Sequence, residues 1–500
     1  GLIGSGGREH ALCKKLFDSK LTNQIICLPG NAGTSKLAKN VEVDILDFKK
    51  ILNLIKLYKI DLVVIGPEEP LVKGLVDFLK RNKVRVFGPN KYAAQLEGSK
   101  AFMKKICAEY KIPTANFKIC TKSYQVINFI KNSHYPIVVK ADGLAAGKGV
   151  TICKSKNQVI NITNKIFNGK FKSSKKVVLE EFLTGEEASY FLVVDGNNFK
   201  FFGTAQDHKR VYEKDKGPNT GGMGAYSPAP LINKAIEKKI INKIIKPTLL
   251  ALRKRKKSYS GFLYVGLMIK NNEPYLIEYN VRMGDPECQV ILPRLKTDLV
   301  KIINSVTINK LKNIKIEWKR EKSMTIVLCS KGYPGKYKKN IIIKNLDKIR
   351  STKKDYIYHA GTKFKNKELL SVGGRVLNIS SIGNDFQNIF YNLCKEFDLK
   401  LTSSDAQIIS MSGRQLINWF NIQFHNLRKK PKINSFLSGT MGSPTNRLMA
   451  DYVKENNGQV IVFDHGASSG LWNNPYQANI ESFQTDKLIT YSHYMKKGLK

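Results

Sequence analysis

A lysine- and glycine-rich stretch at residues 140–149, with the sequence KADGLAAGKG, is the first segment suited to chemistry. Glycine adopts positive φ at almost no cost, so the backbone can curl around an anion, and two lysines supply the charge that a polyphosphate needs. Apolar runs at 136–139 and 150–152 predict a strand on either side. We therefore predict a flexible loop that closes over ATP, with a tight hairpin as the alternative. The residues concerned are Lys140, Gly143, Gly147, Lys148 and Gly149.

A second stretch, residues 277–282 with the sequence IEYNVR, predicts a strand whose alternate side chains share one face. Glu278, Asn280 and Arg282 then project to the same side. A carboxylate and an amide oxygen side by side are hard ligands that suit Mg²⁺, and an arginine beside them can meet a carboxylate or a phosphoryl group. A polar, solvated sheet face is the alternative. The acidic residues of the following Asp-Pro-Glu run at 285–287 favour the metal site.

Two neighbouring segments, AQDHKR at 205–210 and GPNTGGMG at 217–224, predict a substrate loop. The first supplies dense hydrogen-bond donors and acceptors, in Asp207, His208 and Lys209. The second supplies backbone N–H groups able to hold an oxyanion. His208 is interpreted as a binding residue rather than a general base, because an isolated histidine more often orients a ligand. The glycine-rich segment contributes Gly221, Gly222, Met223 and Gly224.

Residues 1–95 alternate short apolar strands with amphipathic helices, which predicts an open parallel α/β sheet with ligands at the carboxyl ends of its strands. The first strand runs into GSGGREH at 4–10, followed by a helix predicted from Ala11. A glycine turn at a helix N-terminus can bind phosphate. Turn sequences also follow two later strands, at 29–33 and 66–70. One such turn could be merely structural, but three at strand ends predict a substrate site, formed by Gly6, Gly7, Arg8, Glu9, Asn31, Gly33, Pro67 and Glu68.

The composition places limits on the class of protein. At 42% hydrophobic and 25% charged residues, the 500-residue chain is typical of a globular protein, and no apolar run reaches the roughly 20 residues that span a bilayer. The formal net charge of +44 is spread along the chain, so we predict an anionic small-molecule substrate rather than nucleic acid. Eight cysteines without CxxC pairs predict reduced thiols and a cytoplasmic location. We also expect a monomer whose first native residues precede Gly1.

An ordered series of motifs resembles the phosphoribosylamine–glycine ligases, ATP-grasp enzymes of purine biosynthesis, from Gly1 to about Ser380 or 390. The segments that carry the resemblance are GSGGREHAL, GPEEPLVKGLVD, PIVVKADGLAAGKGV, EEFLTGEEAS, TAQDHKRV, GPNTGGMGAYSPAP, IEYNVRMGDPE, GYPG, HAGT and GGRVL. The resemblance implies α/β and α+β architecture: an N-terminal open parallel α/β sheet, an ATP-grasp domain and a small β-rich C-terminal domain. The predicted boundaries are 1–97 for the substrate-phosphate domain, 98–186 and 187–320 for the two ATP-grasp lobes, 321–400 for the β-rich domain and 401–500 for the tail.

The resemblance also implies a reaction, in which ATP and glycine give glycyl phosphate and ADP, and the amine of 5-phosphoribosylamine then attacks the acyl phosphate. It implies that Lys100 joins the lysines and glycines of the loop on the ATP phosphates. An adenine hinge and a ribose contact are implied at Glu180, Glu181, Phe182, Leu183 and Glu187. Mg²⁺ or Mn²⁺ would bind Glu278 and Asn280. Catalytic orientation of the amine and of the glycine carboxylate would come from Asp207, Lys209 and Arg282.

Two alternative functions remain open from the sequence. An ATP-grasp ligase with a different nucleophile would share most of these motifs, and a binding protein could keep the fold without turnover. The tail departs from the family, because the closing Tyr-Arg-x-Asp-Ile-Gly segment is absent. We predict strands at 436–438 and 460–463 and a helix at 446–455 in the tail. These elements indicate a partial α/β-like domain, which is either a truncated second domain or a fragment of a surface-carbohydrate transferase.

Overall fold

A computed structural model describes residues 1–145, 149–170, 176–212, 216–344, 346, 354–384 and 389, together with the backbone of three strands in the tail. The chain forms two compact units, one of residues 1–211 and 217–412 and the other of residues 212–216 and 413–500. The helix predicted at 446–455 lies outside the described residues. Within the described part of the chain, no helix is long and apolar enough to cross a membrane.

The first 87 residues form the predicted open parallel sheet. Its strands lie in the order β3-β2-β1-β4-β5, and every pairing is parallel. Because β1, β2 and β4 are neighbours, the three turns that follow them meet at one edge of the sheet. The elements are β1 (Leu2–Gly4), α1 (Gly7–Phe17), β2 (Ile26–Pro29), β3 (Lys39–Asn40), α2 (Phe48–Leu57), β4 (Val63–Ile65), α3 (Glu68–Lys73), α4 (Leu75–Arg81) and β5 (Val86–Phe87).

The next segment forms a four-stranded antiparallel sheet, ordered β6-β9-β7-β8, with helices packed on it. The glycine-rich loop connects β7 to β8, as predicted. Ser99 starts the helix that precedes this sheet, because its hydroxyl accepts a hydrogen bond from Phe102 N at 3.0 Å. The elements are α5 (Gln95–Gly98), α6 (Lys100–Glu109), β6 (Phe117–Cys120), α7 (Ser123–Ile130), β7 (Ile137–Ala141), β8 (Val150–Cys153), α8 (Lys156–Phe167) and β9 (Val177–Glu181).

An eight-stranded sheet spans the second half of the unit, in the order β16-β15-β10-β11-β14-β17-β22-β19. Strands from both sides of residue 320 therefore share one sheet. Up to that residue the elements are β10 (Glu186–Asp195), β11 (Phe199–Asp207), β12 (Arg210–Tyr212), β13 (Lys216–Asn219), β14 (Gly224–Ser227), α9 (Lys234–Ile240), α10 (Lys246–Lys254), β15 (Ser260–Lys270), β16 (Glu273–Asn280), α11 (Cys288–Ile291) and α12 (Leu299–Thr307).

The region after residue 320 is rich in antiparallel strands, as the sequence predicted. A small sheet ordered β18-β21-β20 accompanies the strands that join the large sheet. The elements are β17 (Lys322–Cys329), β18 (Ile341–Ile342), β19 (Asp355–His359), β20 (Thr362–Lys365), β21 (Glu368–Ser371) and β22 (Arg375–Gly383). In the tail, β23 (Ser435–Ser438), β24 (Gln459–Phe463) and β25 (Lys487–Ile489) pair in parallel.

Candidate active site

The glycine turn after β1 leads directly into α1, which begins at Gly7 and not at Ala11 as the sequence predicted. The reason is a local cap: Gly6 N donates to Glu9 Oε2 at 2.6 Å, which satisfies an amide at the helix N-terminus. The other carboxylate oxygen of Glu9 accepts from Arg8 Nε at 2.6 Å. Both side chains are buried, so Glu9 lies beneath the turn and fixes its shape.

The turn after β2 is tied to the first turn by Asn31. Its Nδ2 donates to the carbonyls of Ser5 at 2.9 Å and Gly6 at 3.2 Å, and to that of His359 at 2.8 Å. Its Oδ1 accepts from Gly33 N at 2.8 Å. Asn31 therefore orders the two turns against the C-terminal β region, and its polar atoms are already used within the protein.

The turn after β4 adds a carboxylate to the same edge. Pro67 precedes α3, and Glu68 stands in its first turn. Glu68 Oε2 lies 3.3 Å from Arg282 Nε and 3.9 Å from Arg8 Nη1. Burial acts to raise the pKa of Glu68, but the two guanidinium groups prevail and lower it to about 2. The carbonyl of Met283 accepts from both arginines, at 3.2 and 3.3 Å, and so joins the N-terminal sheet to the end of β16.

Glu97 is a further member of this cluster that the sequence analysis missed. Its Oε1 accepts from Arg282 Nη2 at 2.8 Å, and its Oε2 accepts from Val281 N at 2.8 Å. Burial raises its pKa to about 7, although the charge of Arg282 acts in the opposite direction. No sequence motif marks Glu97, because a glutamate on a short helix is usually solvated.

Strand β16 carries the candidate metal ligands. Glu278 and Asn280 lie on the same side, with Asn280 Nδ2 3.4 Å from Glu278 Oε1. Burial acts to raise the pKa of Glu278, but the charges of Lys209, Lys140 and Lys100 prevail and lower it. The carboxylate is therefore ionised. If the Asn280 side-chain amide is flipped, its Oδ1 faces a metal ion beside Glu278, and among the described residues only the 3.4 Å contact is lost. This hard-oxygen donor pair fits Mg²⁺ or Mn²⁺.

Three of the predicted residues line one small cavity with Glu278. Lys209 Nζ lies 2.9 Å from Glu187 Oε2 and 3.9 Å from Asp207 Oδ1. Burial raises the pKa of Asp207 to about 7. The charge of Lys209 acts to lower this pKa, and the charges of the nearby carboxylates act to raise it. The charges of Asp207 and Glu187 raise the pKa of Lys209 despite its burial. The cavity is lined by Glu187, Ala188, Ser189, Asp207, Lys209, Tyr264, Gly266, Leu267, Ile277 and Glu278.

The predicted oxyanion-binding amides are used by the protein itself. Gly221, Gly222 and Met223 each donate a backbone hydrogen bond, and the acceptors are Tyr333 Oη (2.9 Å), Thr220 Oγ1 (3.0 Å) and the His208 carbonyl (2.7 Å). The Gly224 carbonyl in turn accepts from His208 N at 3.0 Å. These amides shape the loop, so the prediction that they are available for an oxyanion is wrong in this conformation. Burial and the charge of Lys209 lower the pKa of His208 well below its usual value, so the ring is neutral.

Arg375, which lies in the GGRVL motif, holds this glycine loop in place. Its Nη1 donates to the Gly221 carbonyl at 2.6 Å and to the Asp285 carbonyl at 2.7 Å. Its Nη2 lies 3.4 Å from Asp285 Oδ2. The motif pointed to this arginine, but its partners at 221 and 285 are distant in sequence and could not be predicted from it.

Lysines surround the start of the glycine-rich loop. Lys140 Nζ lies 2.9 Å from Glu180 Oε1, and Lys100 Nζ donates to the Gly143 carbonyl at 2.9 Å. Gly143 has φ of +88°, which favours glycine. The Gly149 carbonyl accepts from Ala141 N at 2.8 Å and closes the loop base. Gly147 and Lys148 lie outside the described residues.

The predicted hinge follows β9, which ends at Glu181. Pairing stops there because Glu181 is opposite Ile137, the first residue of β7. The residue immediately before β7 is Pro136, which has no N–H to continue the ladder of hydrogen bonds. Glu181 accepts from Asn116 N at 3.1 Å, and Phe182 is 40% exposed. The segment is thus an irregular, accessible connection beside the lysines.

Three features together are those of an ATP-grasp enzyme: the glycine-rich loop between antiparallel strands, the lysines beside it, and the Glu–Asn pair on β16 of the large sheet. Family models agree: phosphoribosylglycinamide synthetase N domain matches residues 1–97, its ATP-grasp (A) domain matches 98–288, and its C domain matches 323–407. The chain belongs to the phosphoribosylglycinamide synthetase family. It is an ATP-grasp ligase.

Relatives named phosphoribosylamine–glycine ligase are similar over most of their length. The protein of Caldanaerobacter subterraneus is 44% identical over 391 residues, which cover 77% of this chain and 92% of the relative. That of Escherichia coli K12 is 42% identical over 389 residues, covering 77% and 90%. The crystal structure of the Thermotoga maritima enzyme superimposes with a TM-score of 0.69 at 34% identity, covering 79% of this chain and 96% of the other. A biotin carboxylase from Campylobacter jejuni shares the fold alone, with a TM-score of 0.66 at 14% identity.

Proposed function

We propose that this protein joins glycine to 5-phosphoribosylamine through a glycyl phosphate intermediate, giving glycinamide ribonucleotide, ADP and phosphate. The observation that supports this best is the continuous set of contacts from β16 to the N-terminal turns. Arg282 lies two residues beyond the end of β16, which carries the candidate metal ligands, and its Nε lies 3.3 Å from Glu68 Oε2. The same oxygen of Glu68 lies 3.9 Å from Nη1 of Arg8, beside the glycine turn. A phosphoryl-transfer centre and a binding site for a sugar phosphate are therefore adjacent, as the two half-reactions require.

In the first half-reaction, Lys140, Lys100 and the glycine-rich loop bind the ATP phosphates, with the adenine at the segment after Glu181 and the ribose at Glu187. Glu278 and Asn280 would hold Mg²⁺ or Mn²⁺, and the ion would supply charge neutralisation for the transferring phosphoryl group. A glycine carboxylate oxygen attacks the γ-phosphorus, the bond from phosphorus to the β–γ bridging oxygen breaks, and ADP leaves. Positioning and charge neutralisation account for most of the catalysis in such a transfer.

Arg282 is suited to orient the glycine carboxylate. Three of its N–H groups donate to Glu68, Glu97 and the Met283 carbonyl, and they fix the plane of the guanidinium. A guanidinium has five such donors. The described residues accept from three of them, so two remain for a substrate carboxylate. Its two carboxylate contacts hold its pKa above the usual value, so it is always charged.

In the second half-reaction, the turns at Gly6–Arg8, Gly33 and Glu68 hold phosphoribosylamine. Its amine nitrogen attacks the acyl carbon, the bond from that carbon to the phosphate oxygen breaks, and phosphate leaves. Asp207, with a pKa of about 7, accepts the proton that the nitrogen loses. Lys209, whose Nζ lies 3.9 Å from Asp207 Oδ1, orients the Asp207 carboxylate. A cytoplasmic location and a monomeric state are parts of this proposal that depend on the sequence alone.

Product analysis tests the proposal. Purified protein with MgATP, glycine and freshly generated phosphoribosylamine is expected to release ADP in equal amount to glycinamide ribonucleotide, and omission of any substrate is expected to stop ribonucleotide formation. ADP release that requires glycine but tolerates replacement of phosphoribosylamine by another amine would assign a different acceptor. An absence of glycine-dependent ADP release would refute the proposal.

A further inference from the structure

A buried cluster of two lysines and one glutamate lies beside the proposed phosphate site. Lys104 comes from α6, Lys140 from β7 and Glu180 from β9. Lys104 Nζ lies 3.0 Å from Glu180 Oε2, and Lys140 Nζ lies 3.0 Å from the same oxygen and 2.9 Å from Glu180 Oε1. The side chain of Lys104 is 0% exposed, whereas the proposed function assigns no role to it.

Lys104 is held rigidly in this position. Its ammonium group donates to Thr114 Oγ1 at 2.7 Å, and that hydroxyl donates to the Leu276 carbonyl at 2.6 Å. The ring of Phe117 lies under the ammonium, with 5.2 Å between Nζ and the ring centroid. Burying an ammonium group is costly, and packing alone would be served as well by an apolar side chain of the same length. The charge of Lys104 therefore calls for an explanation.

The charge balance of the cluster supplies that explanation. Lys140 and Glu180 alone form a neutral pair, which would present almost no net attraction to a polyphosphate. Lys104 brings a second positive charge to Glu180 from the buried side, so the three groups together carry +1. Lys140, which is 6% exposed and therefore nearer to solvent than Lys104, is the group through which this charge can act on a ligand.

We propose that Lys104 is a positioning residue for the nucleotide. It neutralises Glu180, so that the ammonium group of Lys140 is left to the nucleotide phosphates. This inference rests on the proposed function only in taking the ligand to be ATP, and it does not depend on which carboxylate or amine is joined.

The test is direct binding of MgADP and of magnesium tripolyphosphate by calorimetry, with the full chain. Lys104→Met is expected to raise the dissociation constants of both about tenfold, which corresponds to about 1.4 kcal/mol, because the remaining Lys140–Glu180 pair is neutral. The matched control is Lys105→Met, which removes the same charge from the adjacent, exposed position of α6 and is expected to change either constant less than twofold. In turnover assays, the KM for ATP is expected to rise in Lys104→Met while that for glycine does not.

A double variant separates charge compensation from packing. Lys104→Met with Glu180→Gln leaves Lys140 unpaired, so the affinity for tripolyphosphate is expected to return to within threefold of the wild type. Tripolyphosphate has no base, so any effect of Glu180 on adenine binding changes only the MgADP result. If Lys104→Met does not fold, the double variant decides: near wild-type affinity supports the inference, and a tenfold loss overturns it.

Two results would overturn the inference. One is an unchanged tripolyphosphate affinity in Lys104→Met at an unchanged melting temperature. The other is a double variant as weak as the single one, since a packing role predicts no rescue. A protein that shows the predicted binding pattern but forms no glycinamide ribonucleotide would refute the proposed function and leave the role of Lys104 standing.

Discussion

Arg282→Met tests the cluster that joins the N-terminal turns to β16. The substitution removes a guanidinium whose side chain is only 15% exposed and leaves Glu97, 8% exposed, without its charge partner. Loss of one member of a buried ion pair costs about 3–5 kcal/mol, because the other charge stays buried. At about 2 °C per kcal/mol for a large domain, the melting temperature should fall by about 6–10 °C.

The assay is thermal unfolding at pH 8, above the pKa of about 7 that Glu97 has beside Arg282. Removing the guanidinium raises this pKa further, so the variant has a carboxyl buried without its partner, which either stays ionised or takes up a proton. A matched control is Arg255→Met, which removes an arginine paired with the exposed Glu109. Such a surface pair contributes only about 0–1 kcal/mol, so the expected fall is about 2 °C or less. Adding Glu97→Gln to Arg282→Met removes the unpartnered carboxyl and should recover about half of the loss. Equal melting temperatures for the Arg282 and Arg255 variants would refute the buried-pair reasoning.

Three further predictions concern activity. Glu278→Ala with Asn280→Ala should abolish MgATP turnover at an unchanged melting temperature; appreciable residual turnover at saturating metal would refute the metal assignment. Asp207→Asn should remove a rise in kcat/KM as the pH increases through about 7, since the wild-type carboxyl loses its proton there and becomes the base; a variant with the same pH profile would exclude this role. Gly66→Ala should raise the KM for phosphoribosylamine but not that for ATP, because its Cβ would lie 2.1 Å from Glu9 Oε1 and displace the carboxylate that shapes the turn; unchanged KM values for both would contradict that role.

Local patterns predicted the parts of the site that depend on a single element. The period of two along β16 predicted that Glu278 and Asn280 share a face, and they do. The glycine-rich loop between two apolar runs proved to connect β7 and β8. The parallel order of the N-terminal strands followed from their alternation with helices, and adjacency of β1, β2 and β4 brings the three predicted turns together.

The remaining features depend on contacts between residues distant in sequence, which no local pattern contains. Gly221 was predicted to offer its amide to an oxyanion, but Tyr333, 112 positions away, accepts it. Glu97 and Lys104 stand on helices where charged residues are usually solvated, and only the packing of other elements buries them. Helix α1 begins at Gly7, earlier than the sequence predicted, because Gly6 N donates a capping hydrogen bond to Glu9 Oε2. Roles for Gly147 and Lys148 stay predictions.

Oxygen-isotope transfer tests the central claim most directly. When glycine labelled with ¹⁸O in both carboxylate oxygens is converted with MgATP and phosphoribosylamine, the acyl phosphate route requires one labelled oxygen to leave with phosphate and one to stay in the amide. Mass spectrometry should therefore find one ¹⁸O in each phosphate released. Unlabelled phosphate alongside glycinamide ribonucleotide formation would contradict the glycyl phosphate route.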